Sequence, residues 1–131
     1  MKNISSLLGR IFMSIIFLKA AYGKINGFEK TVLSMEKYGI PFSTFFLICA
    51  ISLLIIGGIL VLSGFKPQLG AVALIIFLVP VTIIYHFDPE SSKQMGQFYK
   101  NTGLIGGLLM LAAHGGGKYG LESWLKRRRK Y

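Results

Sequence analysis

Residues 86–111 read HFDPESSKQMGQFYKNTGLIGGLLML. One apolar run arrives at His86 and another leaves from Asn101, with thirteen residues, Pro89 among them, between His86 and Lys100. This is the widest polar gap between apolar runs, and it opens with one of the chain's two histidines. It reads as the loop joining two membrane spans, with His86, Asp88 and Asn101 gathered at one membrane face.

Composition supports that reading. A chain of 131 residues holds one domain. It is 53% hydrophobic and only 15% charged, with a mean hydropathy of +0.58, which is too apolar for a soluble domain. The net charge of +10 raises the question of nucleic acid. The cations are densest in the tail Lys126-Arg127-Arg128-Arg129-Lys130, which beside apolar spans is the ordinary signature of a cytoplasmic segment. No nucleic-acid-binding motif accompanies the charge, so nucleic acid is not an expected partner. The lone Cys49 rules out an intrachain disulfide and sits in an apolar run as a small hydrophobe.

Working outward from the loop, the chain divides into four spans near residues 4–22, 42–65, 69–87 and 97–117, followed by a basic tail at 118–131. The expected fold is all-α: a transmembrane four-helix bundle within one integral membrane domain. A short interfacial helix joins the first two spans, because Phe28, Val32 and Met35 recur at helical spacing among Lys30, Glu36 and Lys37. The first span competes with a signal peptide, but Arg10 leaves only Ile11 to Leu18 unbroken, a short core for one. In the third span Pro80 is expected to kink the helix. Gly57-Gly58, Gly64, Gly103 and Gly107 are places where another backbone can approach. Four spans put both termini on one side, and the density of the tail places that side in the cytoplasm of a bacterial-type inner membrane.

Two polar sets follow from this topology. Arg10 shares a helix face with Ser6 and Ser14. The simpler expectation is that Arg10 snorkels to the headgroups; the sharper one turns it inward with Ser14, toward carbonyls near His114 or Gly115. At the other face stand Lys24, His86, Asp88 and Asn101. A histidine, a carboxylate and an amide at an apolar boundary suit the carbonyl oxygen of a quinone-like ligand and the passage of protons. The competing reading makes them helix-end groups: Asn101 and Asp88 as caps, His86 among headgroups. A haem bridged by both histidines does not fit, since His114 lies 13 residues beyond Asn101, roughly 20 Å away across the membrane. The sequence contains no nucleophile–base pair, phosphate loop, dinucleotide glycine motif or metal-ligand spacing, so no stand-alone enzyme is indicated.

Several segments in fixed order carry a family likeness. Arg10 comes first, then Ala20-Ala21 and Gly23-Lys24-Ile25, followed by Gly39-Ile40-Pro41 and Gly57-Gly58-Ile59-Leu60 leading to Gly64. Ala71 onward to His86 follows, and Phe98-Tyr99-Lys100-Asn101 runs into Gly106-Gly107-Leu108-Leu109. Taken together, the chain resembles the DoxX family of small four-span membrane proteins. The resemblance implies a membrane subunit associated with a quinone-linked or redox-defence complex, with quinone as the cofactor to test. The alternative is a non-catalytic scaffold or assembly factor that holds membrane or redox proteins, or a second copy of itself, among membrane lipids. The family pattern usually has a glutamate three residues before the paired glycines. Here that position is Leu54, so no intramembrane carboxylate role carries over.

Overall fold

The computed structural model describes residues 2–86, 90–115, 117 and 120–129, with the side chains of Lys2, Asn3 and His86 outside the description. Helix is the only regular structure among the described residues. The order is α1 (Lys2–Asn26), α2 (Phe28–Lys37), α3 (Ser43–Ser63), α4 (Pro67–Val81), a π-helical segment Thr82–His86, α5 (Ser92–His114) and α6 (Leu121–Arg129). Three helices are long and apolar enough to cross a membrane: Ile4–Asn26, Ser43–Ser63 and Pro67–Tyr85. The expected fourth span falls in α5, which runs 23 residues. It is not among the three, because its first turns, Ser92 to Lys100, are polar.

Boundaries move for identifiable reasons. The expected Lys66-Pro67-Gln68 turn is tighter than that. Gly64 ends α3 in the left-handed region (φ 74°), and Lys66, also left-handed (φ 47°), is followed by Pro67 at the head of α4. Proline suits a first helical position because its missing N–H has no partner to lose there. At the far end of α4, Pro80 likewise has no N–H to return to the preceding turn. The helix continues past it and widens into the π-segment Thr82–His86. The loop expected before residue 97 is shorter, because α5 begins at Ser92. The hydroxyl of Ser91 accepts from the Gln94 N–H at 3.3 Å and caps it.

The helices pack in sequence order. α3 lies between α1 and α4, α4 and the π-segment pack along α5, and α2 rests on α3. Their shared core is Phe17, Ala21, Leu54, Val61, Ala71, Leu74, Phe77, Leu78 and Leu108. The α3–α4 crossing is close because both backbones are bare at one point. A Cβ built on Gly70 would lie 2.9 Å from the Gly57 carbonyl oxygen. Outward-facing side chains such as Phe12, Ile16, Phe45, Ile56, Ile59 and Ile76 are exposed, as a lipid-facing surface requires. Helix hydroxyls are satisfied locally: Ser14, Ser52, Thr82 and Thr102 each donate to the carbonyl four residues back.

Candidate functional site

The buried polar residues among those described are Arg10, Ser14, Ser43, Thr82 and Asn101. They divide between the two ends of the helix body.

At the end that carries the N-terminus, the α3–α4 turn and α6, Arg10 is only 2% exposed. Its Nη1 donates to the carbonyls of Val61 at 3.2 Å and Leu62 at 3.3 Å, in the last turn of α3. Ser14, fully buried, donates to the Arg10 carbonyl at 2.6 Å. The expectation that Arg10 snorkels to headgroups is therefore corrected: the guanidinium turns inward. The described acceptors lie on α3 rather than around His114 or Gly115. The physical reason is the helix terminus, where the last carbonyls of α3 have no N–H partner and carry the negative end of its dipole. A cavity of about 330 Å³ opens at this end, with Gln68, His114, Glu122, Ser123 and Lys126 in its wall.

At the opposite end the ligand set expected from sequence is partly separated. Asp88 lies outside the described residues, as does the His86 side chain, while the backbone of His86 closes the π-segment. Asn101 does not stand at the mouth of a helix. It lies nine residues into α5, roughly 14 Å along the axis at 1.5 Å per residue, and Ser91 does the capping instead. Counted from the connection between the helices, Phe77 lies nine residues before His86 and Asn101 nine after Ser92, so the two share a depth. Lys24 reaches the same level, with its Nζ 5.7 Å from the Phe77 ring centre. By this count Lys24 and Asn101 lie about equally far from the connection between the helices, and the backbone of His86 lies nearer to it.

Asn101 is 6% exposed, yet its amide makes no hydrogen bond among the described residues. Above it, the Thr82 hydroxyl is committed to the Leu78 carbonyl at 2.7 Å. The Tyr85 ring lies against Tyr38, with centres 4.4 Å apart. The Tyr85 hydroxyl is closed off from solvent, with Ser34 beside it but no hydrogen bond of good geometry. Sequence reasoning missed Tyr85 and Tyr38; the available signals were an aromatic residue beside His86 and another just before the helix-ending Gly39. Chemically, an amide and an ammonium are both hydrogen-bond donors, and the Phe77 ring beside Lys24 is a flat apolar surface. This arrangement suits an apolar molecule bearing an acceptor oxygen. No group of three or more His, Cys, Asp or Glu suited to a metal ion occurs among the described residues.

Comparison with known proteins gives consistent results. The DoxX family model matches residues 5–87. The inner membrane protein YqjF of Escherichia coli (strain K12) is 31% identical over 128 residues, covering 98% of this chain and 97% of the relative. The inner membrane protein YphA of the same organism is 29% identical over 121 residues, covering 88% of this chain and 86% of the relative. No solved structure matches the chain significantly.

Proposed function

The chain belongs to the DoxX family and is an integral inner membrane protein, and from that premise we propose that it is the quinone-binding membrane subunit of a redox complex. In this reading α5 is the fourth span, α2 lies in the outer interface, both termini are cytoplasmic, and residues 1–131 form one domain. The ligand enters at the end of the bundle holding Lys24, Asn101 and the π-segment. The observation that carries the reading is Asn101, a residue 6% exposed whose amide makes no hydrogen bond among the described residues. A buried polar group without a hydrogen bond costs stability, and a ligand oxygen would relieve that cost. The Lys24 ammonium supplies a second donor beside Phe77, the π-segment lies at the same end of the bundle, and a histidine and a carboxylate, His86 and Asp88, are the residue types proposed for proton exchange.

The test is titration of the purified protein in detergent with a short-chain quinone, followed by isothermal calorimetry. Saturable one-to-one binding, weakened at least about tenfold in Asn101→Leu and Lys24→Met, supports the reading, the loss of one charge-assisted hydrogen bond being worth about that much. No binding by the parent protein rejects it.

A second reading is favoured by a different observation. Gly103 and Gly106 have nothing within 4 Å of where a side chain would begin, and both lie on the exposed side of α5. Such a face suits a scaffold or assembly factor that holds another membrane protein, or a second copy, by close helix approach. Stable co-purification of one partner, abolished by Gly103→Leu, would favour it over the quinone reading.

A further inference from the structure

The structure gives the last helix a seat that a basic tail alone would lack. Gly64 and Gly120 meet backbone to backbone: a Cβ built on Gly64 would fall 2.6 Å from the Gly120 Cα, and one built on Gly120 would fall 3.0 Å from the Gly64 Cα. The Glu122 N–H donates to the Gly64 carbonyl at 3.2 Å, and the Ser123 hydroxyl donates to the Gly117 carbonyl at 2.9 Å. α6 therefore begins at the depth where α3 ends, beside Arg10, at the boundary of the apolar layer.

From that seat the helix presents two kinds of side chain together. Leu121, Trp124, Leu125 and Arg128 follow the i, i+3, i+4, i+7 spacing of one helix face. Leu121 is 42% and Trp124 46% exposed. The Arg128 guanidinium carbon lies 4.9 Å from the centre of the Trp124 ring. At 100° per residue Arg127 and Arg129 border this face on either side. Lys126 is drawn to Glu122 at 3.7 Å, so the one carboxylate of the helix opposes a lysine and leaves the arginines without an acidic neighbour on α6.

We propose that α6 is an anchor for anionic phospholipid. Leu121, Trp124 and Leu125 enter the boundary between headgroups and acyl chains, and Arg127, Arg128 and Arg129 contact lipid phosphates. Charge complementarity selects the occupant. Three arginines around an exposed apolar face, seated at the level where a spanning helix ends, fit a surface that is negative outside and apolar beneath. The Gly64–Gly120 contact holds the helix at that surface instead of letting it drift into water.

Trp124 is the chain's single tryptophan, so its fluorescence reports on α6 alone. The full-length protein is placed in nanodiscs of phosphatidylcholine, or of phosphatidylcholine with one-third phosphatidylglycerol. Quenching by lipids brominated on the acyl chain is then read in each. With phosphatidylglycerol the emission should move to shorter wavelength and quenching should rise by at least about twofold, since each arginine near an anionic surface adds to attachment. Molar salt should remove the difference. So should the triple variant Arg127→Gln/Arg128→Gln/Arg129→Gln, with the unfolding midpoint of the bundle unchanged because these residues lie outside its core. Equal emission and quenching in the two membranes, or a triple variant like the parent, would overturn the proposal. In that case the face is either a general interfacial segment or a docking site for a protein.

Discussion

Arg10 donates to the carbonyl of Val61 at 3.2 Å across a separation of 51 residues, tying the first turns of α1 to the last turn of α3. A buried cation held by helix-terminal carbonyls relieves two deficits, the desolvation of the guanidinium and the unpaired end of the helix. Arg10→Ala should lower the stability of the purified protein by about 3 kcal/mol, the scale of hydrogen bonds to a charged donor. Arg10→Lys should lose less, because an ammonium supplies a point charge without the planar fork. Thermal unfolding in detergent checks both. A midpoint unchanged in Arg10→Ala would mean that the carbonyls are satisfied without it.

Gly64 sits where a side chain has neither room nor a comfortable backbone. Its φ is +74°, and a Cβ there would fall 2.6 Å from both Arg10 Nη1 and the Gly120 Cα. Gly64→Ala should cost about 2 kcal/mol or more, combining left-handed backbone strain with the displaced contacts. Gly103→Ala should behave oppositely. With open space around it and an ordinary helical backbone, it should be neutral or gain up to about 1 kcal/mol of helix propensity. Comparing the two unfolding midpoints separates a glycine required by geometry from one that is not.

The contact between α3 and α4 makes a further distinction among glycines. A Cβ on Gly70 would meet the Gly57 carbonyl oxygen at 2.9 Å, whereas one on Gly107 would meet only the terminal methyl of Met13 at 2.7 Å. Backbone cannot step aside, but a methionine end can. Gly70→Ala is therefore expected to reduce the folded yield in the membrane several-fold, and Gly107→Ala to leave it near the parent. Measuring the monodisperse fraction by size-exclusion chromatography tests the ranking.

The helical class, three spanning helices and most of their limits were legible in the sequence, because continuous apolar runs and the punctuation at Gly39, Gly64 and Pro67 are local signals. Other features depended on what a residue meets in space. Asn101 resembled a helix mouth because Phe98-Tyr99-Lys100 before it is polar and aromatic, yet Ser91 starts the helix earlier and carries Asn101 inward. For Arg10 the sequence offered both a headgroup-seeking and an inward-facing reading, because nothing in α1 reveals that the end of α3 lies beside it. At Leu121–Arg129 the apolar positions Leu121, Trp124 and Leu125 already read as an amphipathic segment at the inner surface, but the helix limits and its contact with Gly64 were not legible, because they depend on where α3 ends. Leu54 was legible only as a departure from the family pattern. In the fold it is fully buried in the core, so an apolar residue there is accounted for by packing.

Asn101 yields the prediction that most sharply separates a binding residue from a structural one. A structural asparagine is tied to the protein, and replacing it leaves its partner unsatisfied and lowers stability. Asn101 is 6% exposed and its amide makes no hydrogen bond among the described residues, so its removal abandons no partner among them. Asn101→Leu, with the same number of side-chain heavy atoms, should keep the unfolding midpoint or raise it, by about 1 kcal/mol in stability, because an amide with no described partner is exchanged for an apolar side chain. Under the proposed function the same variant should bind quinone at least about tenfold more weakly, the amide being a direct donor to the ligand. Gain of stability with loss of binding is the signature of a group kept for its ligand. Thermal unfolding and calorimetric titration on one preparation read both quantities. A fall in stability of about 2 kcal/mol, with binding unchanged, would instead make Asn101 a structural amide paired with a group beyond the described residues.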